Sequence, residues 1–244
     1  MRRGFLPHFR VRWGIMQRNL VLPLIFGLAG AAVLIWLGVW QMQRLEWKEG
    51  ILAQIETRIA AAPVALPESF DPEADKYLPV EVSGQFQDGA LRVLVSRKQV
   101  GAGYLVISPF ETEGGRRILV DRGFIRQGET LEAAPEGVLT VTGNLHWPDD
   151  RNSSTPENDV DGNTWFARDL GQMAEVLDTE PVLLVARTLS QPEEAVTPLP
   201  VDTGHIPNDH LQYAITWFSL AAIWLGMTAF YIFRGRGVAK GLDR

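Results

Sequence analysis

Cysteine is absent from this chain. No disulfide braces any part of it, and thiolate-based copper or redox sites are excluded. Formal charge is also missing over two long stretches, Asn19 to Gln43 and Leu211 to Phe233. The signatures of common catalysts are absent too. There is no G-x-S-x-G elbow, no P-loop and no glycine-rich dinucleotide turn after a strand. Histidine is sparse, with four residues, and none has a helical i, i+4 partner of the kind that makes a zinc pair. By these absences the chain reads as a non-enzyme.

What is present begins with the two uncharged runs. Each is about 20 residues long, which at about 1.5 Å per residue spans the hydrocarbon core of a bilayer. Charge sets their expected orientation. Arg2, Arg3, Arg10, Arg12 and Arg18 precede the first run, and Arg234, Arg236, Lys240 and Arg244 follow the second against Asp243 alone. Between them, Leu45 to Ile206 holds 13 Lys and Arg against 27 Asp and Glu, a net −14. Basic flanks stay in the cytoplasm, so both termini are expected inside and the acidic middle outside.

The expected organisation is a basic tail (1–18), a first transmembrane helix (19–41), an exported domain (42–207), a second transmembrane helix (208–233) and a second basic tail (234–244). Arg2-Arg3-Gly4-Phe5-Leu6 has the look of a twin-arginine signal. The apolar run that follows is too long for a signal core and lacks a nearby small-x-small cleavage pattern, so it reads as an uncleaved anchor.

The exported segment reads as mainly antiparallel β, either a small barrel or a sandwich, with one or two short helices. Strands are predicted over Val80–Phe86, Leu91–Ser96, Tyr104–Glu111, Arg117–Ile125, Val138–Trp147 and Val182–Leu189, all rich in β-branched and apolar residues. Glu113-Gly114-Gly115-Arg116 predicts a tight hairpin. Leu170–Leu177 predicts a helix capped by Asp169. Glu46–Ala61 extends the first membrane helix outward, and Gln191–Pro207, with four prolines, returns the chain extended to the second. His146 reads as a surface residue at a strand end, His205 as a loop residue, and Asp149-Asp150 as solvated turn residues. Asn158 to Asn163 resembles part of a calcium loop, but Arg168 falls where the last carboxylate ligand belongs, so the loop reads as an acidic turn.

The densest chemistry lies where the two apolar runs meet the exported side. On a helix, Trp40, Arg44 and Trp47 share one face at i, i+4 and i+7. The second run opens with Asn208 as the expected N-cap, then His210, with Tyr213, Ala214 and Trp217 below it at i+3, i+4 and i+7. An ionisable ring at a membrane boundary needs a partner or a role. If the helices are neighbours, these faces form a cleft holding an imidazole, a guanidinium and several aromatics, with walls from Leu211, Ile215 and Phe218. Interfacial tryptophan and tyrosine are also ordinary belt residues, and an arginine there reaches lipid phosphates.

Gly38-x-Trp40-Gln41-x-x-Arg44-x-x-Trp47-Lys48 and Asn208-x-His210-Leu211-x-Tyr213-Ala214-x-Thr216-Trp217-Phe218 resemble the two end signatures of the SURF1/Shy1 family. Tyr77-x-Pro79-Val80 leading to Gly84-x-Phe86, Gly103-Tyr104 leading to Pro109, Leu119-Val120-x-Arg122-Gly123, and Trp165-Phe166-x-Arg168-Asp169 fit it as well. Asp121, Phe124 and Arg126 depart from its usual residues. The resemblance implies an assembly factor for haem-copper cytochrome c oxidase that takes haem a from haem a synthase and presents it to subunit I. It implies His210 as ligand to the haem iron. Arg44 would then pair with a propionate, and Trp40, Tyr213 and Trp217 would pack on the macrocycle.

The implied surroundings are a bacterial inner membrane with the main domain in the periplasm, or the mitochondrial inner membrane. Partners would be subunit I, the synthase and membrane lipid, with no nucleic acid. The competing reading is a scaffold that stabilises a subunit I intermediate without binding haem itself. A periplasmic sensor or lytic enzyme anchored by two spans is a remoter third.

Overall fold

The structure, a computed structural model, describes residues 20–97, 100–204 and 206–241. The arginines of 2–18, His205, Asp243 and Arg244 lie outside the described residues, and the readings placed on them stay expectations. The chain divides into two compact units, one of residues 1–49 with 207–244 and one of Gly50–Ile206.

Unit one holds two long helices, α1 (Val21–Ile59, whose last turns belong to the other unit) and α3 (His210–Gly241). Both are long and apolar enough to cross a membrane, with mean hydropathies of 2.3 and 1.6. Only 17% and 6% of their apolar windows are buried in protein, unlike the core helix of a globular domain.

Their contact is made by small residues. Gly27, Ala31, Gly38, Gln41 and Leu45 are the buried positions of α1, at the 4-3 spacing of a helix seam. Ala214 and Ala221 are buried on α3. A Cβ added at Gly38 meets the Phe218 ring at 2.6 Å, and the Trp224 indole donates to the Gly27 carbonyl at 2.9 Å. Close backbone approach over glycine and alanine is what joins the two helices.

Unit two is built on one seven-stranded sheet in the order β1-β2-β6-β7-β5-β4-β3. The strands are β1 (Val64–Ala65), β2 (Pro79–Phe86), β3 (Leu91–Arg97), β4 (Gly101–Thr112), β5 (Arg117–Arg126), β6 (Leu139–His146) and β7 (Leu183–Leu189). All six expected strands form, and the two-residue β1 is additional. Most pairings are antiparallel, but β1–β2 and β5–β7 run parallel, so the sheet is mixed.

Of the expected barrel or sandwich, the structure shows the mainly antiparallel sheet but not a clear barrel. There is a single sheet rather than two packed ones. β2 also pairs with β4 over three residues, Gly84–Phe86. That local contact draws two parts of the sheet together without making a regular barrel.

Alternation along the strands splits the core between the faces. Ile118, Val120, Leu184 and Ala186 join one cluster, while Leu119, Leu183 and Val185 join the other. Over the second face lies α2 (Leu170–Leu177), burying Met173 and Leu177. Asp169 caps it as the sequence predicts, its side chain accepting from the Gln172 N–H.

The proline-rich return is strapped onto β5. Thr197 bridges Phe124 in both directions. The fully buried Arg122 guanidinium pairs with Glu193 of the strap. Gly123, at φ 133°, lies where any Cβ would strike the Thr197 carbonyl.

Candidate functional site

The site in unit one is assembled by the α1–α3 seam. His210 is the first residue of α3, half-buried, and its Nδ1 lies 2.8 Å from Oε1 of Gln41. Gln41 is itself buried on the α1 seam. A side-chain carbonyl only accepts, so Nδ1 carries the hydrogen, and in the neutral ring the Nε2 lone pair is left available. Ala214, one turn below His210, is 1% exposed and keeps the helices close.

The other expected site residues take different positions. Trp40 and Tyr213 stand on exposed faces, 46% and 55% exposed, and Trp217 is half-buried. Arg44 is exposed, with its guanidinium 3.8 Å from the centre of the Trp47 ring. The Trp40–Arg44–Trp47 face is real, but the residue that α1 turns to His210 is Gln41, between two of its members.

Asn208 does not cap α3 as expected. The first helical bond runs from the Tyr213 N–H to the Asp209 carbonyl, so Asp209 holds the cap position. The Asn208 Oδ1 is buried, with no hydrogen-bond partner among the described residues.

As a donor set this is a single imidazole. Among the described residues, no cluster of three or more His, Cys, Asp or Glu is arranged to hold a metal ion. A single imidazole flanked by exposed aromatics is what the described residues offer a ligand here.

Unit two has a cleft of its own, about 690 Å³, lined in part by Tyr77, Asp121, His146, Asp150, Arg168 and Asp202. One sequence expectation fails here: His146 is buried rather than exposed and stacks on Tyr77, with ring centroids 5.7 Å apart. Asp149 and Asp150 are exposed, as expected of turn residues, and Asp150 also accepts from the Arg168 guanidinium at 2.7 and 3.1 Å. Asp121 is fully buried, 4.0 Å from Arg168, and accepts the Gly123 N–H.

Burial works to raise the Asp150 pKa, but the hydrogen bonds and charge of Arg168 outweigh it and hold the carboxyl below its ordinary value. For Arg168, burial opposes the charge while Asp150 and Asp121 favour it more, and its pKa stays raised. Tyr77 takes a left-handed backbone conformation, φ 69°. Its N–H donates to Leu145 O, and its carbonyl accepts from Asn144. Tyr77 and Arg168 belong to two of the motif blocks noted in the sequence, and Asp121 stands at the unspecified position of a third, where this chain departs from the usual residue.

A family model described as the SURF1 family matches residues 28–222. Surfeit locus protein 1 of Homo sapiens is 32% identical over 210 residues, covering 76% of this chain and 69% of its own length. Surfeit locus protein 1 of Gallus gallus is 33% identical over 212 residues, covering 76% and 67%. A SURF1-like protein of Rickettsia felis is 29% identical over 234 residues, covering 91% of this chain and 99% of its own.

Proposed function

This chain belongs to the SURF1 family, and on that premise we propose that it is a membrane-anchored assembly factor for haem-copper cytochrome c oxidase. Family membership implies the role in oxidase assembly. The finer reading is that the protein carries haem a, received from haem a synthase, and presents it to subunit I. Its helices α1 and α3 cross the membrane with both termini inside, and Gly50–Ile206 is held on the periplasmic or intermembrane-space side.

The observation that carries this reading is the His210–Gln41 pair. Two polar side chains are committed to one contact between helices of membrane-spanning composition, and such groups are costly there unless they have a function. His210 ligates the haem iron through Nε2. Trp40, Tyr213 and Trp217 supply apolar and aromatic surface to the macrocycle, and Arg44 pairs with a propionate. A carrier has to release what it binds. A single protein ligand at the edge of the lipid holds less tightly than a closed two-histidine site, so the iron–imidazole bond made on capture can be broken on release.

The visible spectrum of the purified full chain, from cells with and without haem a synthesis, tests the proposal. The native protein is expected to show a haem band only when haem a is made. His210→Ala is expected to lose it while accumulating normally in the membrane. Full haem occupancy in that variant removes His210 as ligand. A native protein that is haem-free at every haem a level, yet co-purifies with subunit I, replaces the carrier by the scaffold.

A further inference from the structure

We infer that Gln41 is a positioning residue for haem capture, its carbonyl holding the His210 imidazole in the Nδ1–H tautomer so that Nε2 is the nitrogen offered to iron. This rests on the reading of His210 as the ligand and adds to it the residue that makes the ring a competent one.

The seam itself motivates the assignment. At the other buried positions of α1 stand Gly27, Ala31, Gly38 and Leu45, each apolar or small. Gln41 alone places an amide there, buried to 9% exposure. A buried amide in an apolar helix is unfavourable unless it is hydrogen-bonded. Its carbonyl partner is the imidazole 169 residues away in sequence, at 2.8 Å. An imidazole bound through Nδ1 to a fixed acceptor cannot interchange tautomers or swing freely about its Cβ. This is how metal-binding histidines are commonly oriented by an outer partner.

The kind of acceptor matters as well as its presence. A carboxylate would pull the Nδ1 proton and strengthen the ring as a donor to iron. An amide carbonyl orients the ring too but, being neutral, polarises it less than a carboxylate would. A protein that hands its haem on is served by the second arrangement, because the ligand must let go. Gln41 therefore sets how firmly His210 holds its ligand as well as which nitrogen it presents. The bland alternative is that the bond only joins the helices, as interhelical polar contacts do. That alternative predicts no change in the electronic properties of bound haem when the acceptor is altered.

The experiment uses the full chain in detergent, loaded with haem a, in native, Gln41→Leu, Gln41→Glu and His210→Ala forms. Gln41→Leu is expected to bind haem a about 10- to 100-fold more weakly, the usual effect of losing an outer partner of a metal ligand. Gln41→Glu is expected to shift the Soret band, lower the haem midpoint potential and slow haem transfer to an apo-globin acceptor. Native affinity and spectrum in Gln41→Leu, with His210→Ala haem-free, overturn the role of Gln41 and leave His210 standing. Haem retained by His210→Ala overturns both. If Gln41→Leu does not accumulate, Gln41→Glu decides alone: a spectrum and potential equal to native leave the contact as helix adhesive, and the inference fails.

Discussion

The α1–α3 pair and the β unit bury polar groups in opposite ways. In the β unit the buried charges are answered several times over. Arg122 meets Glu193 and Ser108, and Arg168 meets Asp150 and sits beside Asp121. Such a set fixes one arrangement of loops. In the helix pair a single amide meets a single imidazole through one of its two ring nitrogens. Saturated polar networks specify a fold, whereas a lone polar pair on an apolar seam points to a site.

The largest effect that separates the two regions is expected from Glu193→Ala. It leaves the Arg122 guanidinium, 1% exposed, without its carboxylate. Removing one member of a buried pair typically costs about 3–5 kcal/mol. Urea unfolding followed by the fluorescence of the buried Trp165 is expected to show a loss of that size. Haem a bound per folded molecule should be unchanged. A loss of haem equal to that of His210→Ala would erase the distinction, because the strap would then belong to the site.

Ala214→Leu strikes the other region. Ala214 is 1% exposed and lies one turn below His210, and overpacking such a position costs about 1–3 kcal/mol. Here the order reverses: urea unfolding of the β unit should match native, and haem a affinity should fall. An unaltered affinity would mean that the spacing of the helices is not what holds the imidazole.

The sequence makes the two regions legible to different degrees. In the β unit, β-branched runs broken by turn residues gave all the longer strands, and Asp169 marked the start of α2. Burial there follows the alternation of side chains, which sequence carries. His146 ends a strand, where alternation no longer decides burial, and it is buried in a stack with Tyr77, distant in sequence.

In α1 the apolar residues cover every face, so no periodicity reveals the inward one. The large residues Trp40, Arg44 and Trp47 drew the reading to their face. Yet the packing surface is chosen by what can come close, Gly27, Ala31 and Gly38. Gln41 was visible in the motif, but its role depends on a neighbour 169 residues away.

A gentler test of the comparison is acid. The Asp150 carboxyl is held below its ordinary value by Arg168. Arg116 does the same for Glu180, its hydrogen bond outweighing desolvation. A carboxyl depressed in the folded state stabilises in full above its unfolded pKa, about 4. That contribution fades as pH falls through the ordinary value toward the folded one. The β unit should therefore lose stability progressively below about pH 4. Asp150→Asn should flatten the part of that slope owed to the Arg168 pair. An unchanged slope would mean the pair contributes nothing to folding.

The smallest effect is the most informative about Arg44. As the structure stands, its guanidinium covers the Trp47 ring at 3.8 Å from an exposed position. A contact of that kind contributes about 0.5–1 kcal/mol, so Arg44→Ala should barely alter the stability of the helix pair. If the arginine also pairs with a haem propionate, its loss should weaken haem a binding, and Arg44→Lys should restore part of it by charge without the bidentate fork. The dependence of binding on salt should shrink in Arg44→Ala and return in Arg44→Lys. Equal affinity and equal salt dependence in all three proteins would assign Arg44 to the aromatic rim alone, leaving His210 and Gln41 as the polar residues of the site.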